Sequence, residues 1–167
     1  MICPKRAPSF LLAASVALLI PADHSGAAPP PRILGSCNPS KVKFSLSSHF
    51  TTTTSTAAVN ITDTALSFTQ SKQGCVIVDF TSAEGLSDPP PGTVDISAEL
   101  KDSGGTTLPG RPSVAHIQLA ASALDTHTIQ FVFPDVPPGV YEIRMRLNSP
   151  NGGAVEVSSP NTVVHYN

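Results

Sequence analysis

From residue 41 to the last residue, apolar and polar side chains alternate with period two, and helical spacing is almost absent. Val42, Phe44 and Leu46 alternate with Lys41, Lys43, Ser45 and Ser47, which predicts a first strand with one buried and one wetted face. Leu66 and Phe68 repeat the pattern in a Thr/Ser-rich setting. Cys75 to Phe80 is more continuously apolar, as in a central strand covered on both sides or close to a sheet-edge crossover. From Thr93 to Leu100 every even-numbered side chain is apolar and every odd-numbered one polar. Ile129, Phe131 and Phe133 make another apolar face, and so do Tyr141, Ile143, Met145 and Leu147. Val155 with Val157, and then Thr162 to Tyr166, close the series.

The connections between these runs are legible in their turn chemistry. Pro134 to Gly139 cannot pair as strand, because proline lacks the donor and glycine frees φ. Asp88 to Gly92, Asp102 to Gly110 and Asn148 to Gly153 are further loops. Only Val114 to Leu124, with its alanines, has the composition for a turn of helix. Eight to ten short strands in one domain must close into a sandwich or barrel, since an open sheet would leave an apolar face uncovered. The expected fold is an antiparallel β-sandwich over residues 41–167.

The first forty residues have a different pattern. Lys5 and Arg6 precede an apolar run from Phe10 to Ile20, which is too short to span a bilayer. Small side chains follow at Ser25 and Ala27. This is the layout of a signal peptide over residues 1–27, cut between Ala27 and Ala28. Pro29, Pro30 and Pro31 then begin a stiff tether over residues 28–40. Leu34-Gly35-Ser36-Cys37 loosely matches the box of lipidated cysteines, but it lies well beyond the apolar run that such a box would close. The expected location is therefore periplasmic or extracellular.

Cys3 leaves with the signal, so Cys37 and Cys75 form an even pair in an exported chain and predict one disulfide. Their spacing is not the C-x-x-C of zinc or redox sites. The formal charge of the whole chain is −2 with scattered lysines and arginines, which supplies no basic stripe for nucleic acid. The absence of Trp argues against an aromatic stacking platform, although Tyr141, Tyr166 and the phenylalanines keep a glycan ligand open.

Candidate chemistry is sparse. His116 and His127 would make half a metal site if they faced each other across adjacent strands, and register decides that. No third ligand at a recognisable spacing joins them; His49 and His165 read as solvent-facing. Asp79 is the only acid inside a strongly apolar strand, and an outward or hydrogen-bonded position is expected for it. Asp102-Ser103-Gly104-Gly105 resembles the nucleophile segment of trypsin-like proteases. The chain is too short for two barrels, however, Lys101 precedes the segment, and a hairpin turn with positive φ is expected there. Asn60-Ile61-Thr62 is a formal glycosylation sequon. Pro89-Pro90-Pro91 reads as a rigid loop. No catalytic residue, metal ligand or cofactor is assigned.

The run Phe131-Val132-Phe133-Pro134, Pro138 to Leu147, Gly152 to Val157 and Thr162 to Tyr166 resembles the ending of small exported bacterial proteins of unknown function. It also resembles the last strands of C1q/TNF-like jelly-roll modules, and Phe50 to Thr54, Val59 to Ile61 and Leu66 to Phe68 are similar to their opening strands. That resemblance implies a jelly roll and a threefold homo-oligomer. A second one, carried by Phe133, Val136, Pro138, Gly139 and Tyr141, is to prealbumin-like Ig sandwiches. The expected function is a non-enzymatic binding or assembly module for a protein or glycan ligand. The alternatives are an enzyme accessory or hydrolase domain without recognisable motif, and a structural cell-envelope component.

Overall fold

The computed structural model describes residues 37–88, 92–119 and 124–167. These residues form eleven strand segments and no helix: β1 (Lys41–Leu46), β2 (Phe50–Thr53), β3 (Val59–Asn60), β4 (Leu66–Gln70), β5 (Gly74–Asp88), β6 (Gly92–Asp102), β7 (Thr107–Leu108), β8 (Ala115–Leu119), β9 (Asp125–Val136), β10 (Gly139–Asn148) and β11 (Ala154–Tyr166). Within the Val114 to Leu124 stretch that left room for a turn of helix, residues 120–123 lie outside the described residues, while Ala115 to Leu119 is strand. It pairs with β6 from Gly92↔Leu119 to Ile96↔Ala115. Pairing fixes the segment because Ile117 and Leu119 thereby reach the core.

Every pairing is antiparallel. In the first sheet β11 lies between β5 on one side and β1 followed by β2 on the other, and β9 closes the far edge. In the second, β10 lies between β6 and the successive segments β3 and β4, and β7 with β8 forms the far edge. Counting each interrupted edge as one position, the first sheet has the order 1-8-3-6 and the second 2-7-4-5. That is the winding of an eight-stranded jelly roll, in which the chain crosses between sheets at nearly every turn. A prealbumin-like or Ig-like sandwich keeps different neighbours in each sheet, so that alternative is excluded.

The alternation read from the sequence builds the core. Val94, Ile96, Leu100, Ile143, Met145 and Leu147 point inward from the second sheet, and Val76, Val78, Phe80, Phe131, Phe133 and Val164 meet them from the first. At one end Phe68 packs on Tyr166 and Tyr141, with ring centroids 4.8 and 5.9 Å away. The two closing runs expected separately are one strand, β11. Its register on β5 shifts between Ser158 and Asn161, around Pro160, which has no N–H to offer the ladder, and Ser159 at φ 50°. The bulge reverses the parity of the buried set, from Val155 and Val157 before it to Thr162, Val164 and Tyr166 after it.

Cys37 and Cys75 are joined by a disulfide with their Cα atoms 5.3 Å apart. The bond ties the residues before β1 to the start of β5, a central strand. A sulfur so bonded carries no lipid.

The first strand departs from expectation. All of β1 except the half-buried Ser45 is exposed, and the register sets Val42, Phe44 and Leu46 on the outer side with Lys41, Lys43 and Ser45 toward the seam between the sheets. The register decides this: Lys43 pairs with Val164, whose side chain is in the core, while Phe44 pairs with Val163 on the outside. The polar set is useful at the seam, because it reaches the second sheet. Lys43 Nζ donates to the Ser67 carbonyl at 2.7 Å, Ser45 Oγ donates to the Asp63 carbonyl at 2.5 Å, and Lys41 Nζ lies 5.9 Å from the Tyr166 ring centroid.

Candidate functional site

The feature of the fold that calls for a function is the outer face of the first sheet beside β1. Val42, Phe44, Leu46 and Phe50 are 56, 65, 68 and 64% exposed. They fall in one line along the edge formed by β1 and β2. Rows running inward from that line are set by register: Val42–His165–Ile77–Val132, Phe44–Val163–Asp79–Gln130 and Leu46–Asn161–Thr81–Thr128. The edge itself is wholly apolar; toward β9 the Phe44 and Leu46 rows turn polar, while the Val42 row ends on Ile77 and Val132. Edge strands in soluble proteins usually carry charge or proline on the open side. Here both lysines of β1 are turned into the seam, and the open side is aliphatic and aromatic.

The edge is also open in its backbone. Just past β1, Ser47 N donates at 3.0 Å to the carbonyl of Pro160, and continuing that register back along the strand puts the odd-numbered residues of β1 on the ladder to β11; just before β1, Ser40 N donates to the carbonyl of Tyr166, which stands opposite Lys41. By the alternation of an antiparallel strand, the N–H and C=O groups of Val42, Phe44 and Leu46 point the other way. Among the described residues no strand pairs with β1 on that side. Beside them, in the seam, is a shallow groove of about 400 Å³ lined by Lys41, Lys43, Ser67, Thr69, Val140 and Tyr166.

The loop after β1 is fastened by Asp63, itself at φ 58°. Its Oδ2 accepts from Ser47 Oγ at 3.0 Å and lies 2.5 Å from His49 Nδ1. These contacts hold the Asp63 carboxyl below the ordinary carboxylate range, with the His49 hydrogen bond contributing most. His49, expected as a bare surface histidine, is therefore part of the fastening.

Each of the four histidines of the described chain has a carboxylate partner, and His116 and His127 do not meet. They sit in different sheets: His116 Nδ1 is 2.6 Å from Asp95 Oδ1 on the second, and His127 Nδ1 is 2.7 Å from Glu84 Oε2 on the first. The winding of the jelly roll separates them, which adjacent sequence runs could not reveal. Asp79 faces outward, accepting from Gln130 Nε2 at 2.9 Å and lying 3.1 Å from His165 Nε2. Among the described residues no three His, Cys, Asp or Glu side chains converge as metal ligands would.

The group that sequence reasoning missed is Glu84, whose side chain is 0% exposed. Ser82 Oγ donates a short hydrogen bond to Glu84 Oε1, and His127 holds the other oxygen. Burial pushes the Glu84 carboxyl above its ordinary value, against the lowering pull of these two bonds. The signal was present in the sequence: continuing the alternation of Val76, Val78 and Phe80 puts Ser82 and Glu84 on the core face. The glutamate stands between serine and histidine, so the imidazole is bonded to the carboxylate and not to the hydroxyl. A nucleophile needs the base at the hydroxyl itself.

The remaining motifs have local roles. Asp102 Oδ1 accepts from Gly104 N at 2.9 Å and Thr106 N at 2.8 Å, and Gly105 has φ +83°, so this tetrapeptide is the turn between β6 and β7. Asn60 of the sequon is exposed at the end of β3. Pro89, Pro90 and Pro91, and the cleavage residues Ala27 and Ala28, lie outside the described residues.

No family model matches the chain, and no curated protein matches it. Among solved structures it is similar to the infectious bursal disease virus Gx strain structure, with a TM-score of 0.53 at 13% identity over 83% of this chain and 37% of the other. It is also similar to the CBM22-1 xylan-binding domain of Paenibacillus barcinonensis Xyn10C, at 12% identity over 75% of this chain and 83% of that one, with a TM-score of 0.38. TmCBM61 in complex with beta-1,4-galactotriose gives 12% identity over 76% of this chain and 90% of that one, with a TM-score of 0.37. The chain spans about a third of the length of the viral chains it matches. At this identity the likeness to the viral chain is one of fold, and it agrees with the jelly-roll winding.

Proposed function

We propose that this chain is an exported, non-catalytic binding or assembly module that works through the outer face of its first sheet. The observation that carries the reading is the exposed line of Val42, Phe44, Leu46 and Phe50 on an open sheet edge. Its two phenylalanines alone, each about two-thirds exposed, offer roughly 250 Å² of aromatic surface. With the two aliphatic side chains the line reaches the range of roughly 300–600 Å² in which the largest patch on a monomer is often functional. The Cys37–Cys75 bond fits an oxidising compartment, as does the signal-like layout of residues 1–27. The partner class is a protein surface, because the exposed line is aliphatic as well as aromatic and the hydrogen-bonding groups of the face, Asp79, Thr81, Thr128 and Gln130, lie on strands away from it. An enzymatic reading finds less support, since Ser82, Glu84 and His127 are ordered with the acid in the middle.

Sedimentation velocity tests this. The oxidised wild-type protein is expected to sediment faster as its concentration rises. A Phe44→Ser, Phe50→Ser double variant is expected to sediment as a monomer throughout. If the double variant and the wild type behave alike under all conditions, the face is not a contact surface.

A further inference from the structure

Resting on that reading of the β1 face, we propose that the partner is a second copy of this chain, added antiparallel along β1 about a twofold axis at Phe44. The open backbone groups belong to Val42, Phe44 and Leu46, the residues whose side chains form the apolar line. A strand that pairs with this edge must therefore use the positions that carry the apolar side chains. Three registers bring even-numbered residues of two copies of β1 opposite one another near its centre, and they differ sharply in what they oppose.

With Phe44 opposite Phe44 of the second copy, Val42 meets Leu46 and Leu46 meets Val42. On the other face Lys43 meets Ser45 and Lys41 meets Ser47. Every apolar side chain has an apolar partner, and no like charges stand directly opposite. Shifting one way about Lys43 sets the two Lys43 ammonium groups against each other, which is unfavourable for directly opposed charges. Shifting the other way, about Ser45, places Val42 against Ser48 and leaves it without an apolar neighbour. The six residues of β1 are thus self-complementary in one register, which is what an isologous contact requires. Lys43 and Ser45 are already bonded across the seam to Ser67 and Asp63, so their polar groups do not obstruct the edge. Pairing joins the two first sheets into one, in the order β9-β5-β11-β1 and its mirror sequence from the second copy. Phe50, on the same line, extends the contact beyond the strand.

The register makes a test that a loose hydrophobic association would not pass. In the paired strands the two Phe44 Cα atoms lie about 5.5 Å apart, within the span of a disulfide. Phe44→Cys is therefore expected to cross-link to a dimer under mild oxidation. Val42→Cys alone is not, whereas a mixture of Val42→Cys with Leu46→Cys is. Light scattering keeps the proposal falsifiable should an added thiol disturb the Cys37–Cys75 bond: the wild type is expected to reach twice the chain mass with rising concentration, and Phe44→Lys to stay at the monomer mass. A wild type that associates to a trimer, or that cross-links equally at position 42 alone, overturns strand pairing at Phe44 while leaving the face a contact surface. A wild type that stays monomeric at every concentration overturns the second copy as partner. Indifference to the Phe44→Ser, Phe50→Ser pair removes the contact surface itself.

Discussion

The Lys43 ammonium donates to the Ser67 carbonyl at 2.7 Å, bonding the edge strand of one sheet to the edge strand of the other. This contact and its neighbour from Ser45 to the Asp63 carbonyl engage the polar side of β1, and that leaves the apolar side for the solvent. The inverted strand is the root of the functional proposal.

Lys43→Met keeps most of the aliphatic stem and removes the donor. The bond is exposed, so the expected loss of stability is under about 1 kcal/mol. The clearer readout is local: amides of Ser45 and Ser47, which belong to the ladder with β11, are expected to exchange faster in the variant. Unchanged exchange there would mean that the seam contact does not hold the strand.

Phe44 and Phe131 separate a contact residue from a core residue. Phe44→Ser is expected to change stability by no more than about 0.5 kcal/mol, because the ring is already largely in water. Phe131→Ala is expected to cost about 3–5 kcal/mol through the cavity it leaves between the sheets. Urea unfolding of dilute protein measures both. A large loss at Phe44 would place that ring in the fold and not on a free surface.

The disulfide closes a sequence separation of 38 residues. Replacing Cys37 and Cys75 together by serine is expected to cost about 4 kcal/mol on the chain-entropy account. The denaturant midpoint of the double variant, compared with the oxidised wild type, gives the number. A difference near zero would show that the segment before β1 is already ordered in the unfolded ensemble or contributes nothing to closure.

Glu84 gives the fold a pH dependence with a definite sign. The unfolded chain ionises this carboxyl near the ordinary value of 4.5, while the folded protein keeps the proton to higher pH because the group is buried. In the window between the two values the folded state binds more protons. Its contribution is therefore best below the unfolded value and is lost as pH rises through the folded one. Glu84→Gln cannot ionise and is expected to be more stable than wild type at neutral pH, with no gain near pH 4. Urea midpoints of both proteins at the two pH values measure the difference. A variant less stable at neutral pH would mean that the ionised carboxylate is the form the fold prefers.

Much of this architecture could be read before the fold was known, and the exceptions have physical reasons. Thr93 to Leu100 and Tyr141 to Leu147 lie in the middle of a sheet, where one face must meet the core, so period two assigned their side chains correctly. For β1 the same period identified two faces but not which one is buried, because an edge strand's inward face can be served by lysine and serine reaching across the seam. His116 and His127 are close in sequence and far apart in pairing, since the chain changes sheet between β8 and β9. Glu84 was hidden by ending the alternation at Phe80, where the apolar residues give way to a buried hydrogen-bonded set. The single long β11 depends on a bulge at Ser159 and Pro160, which in sequence resembles a turn.

The central claim is that the open edge of β1 accepts another strand. Amide hydrogen exchange of the oxidised protein at low and high concentration, read at Val42, Phe44 and Leu46, tests it most directly. These amides point away from β11, so they are expected to exchange freely when dilute and to slow as concentration rises, while the Gly104 amide, held by Asp102, keeps its rate. Free exchange of all three at every concentration would contradict the account.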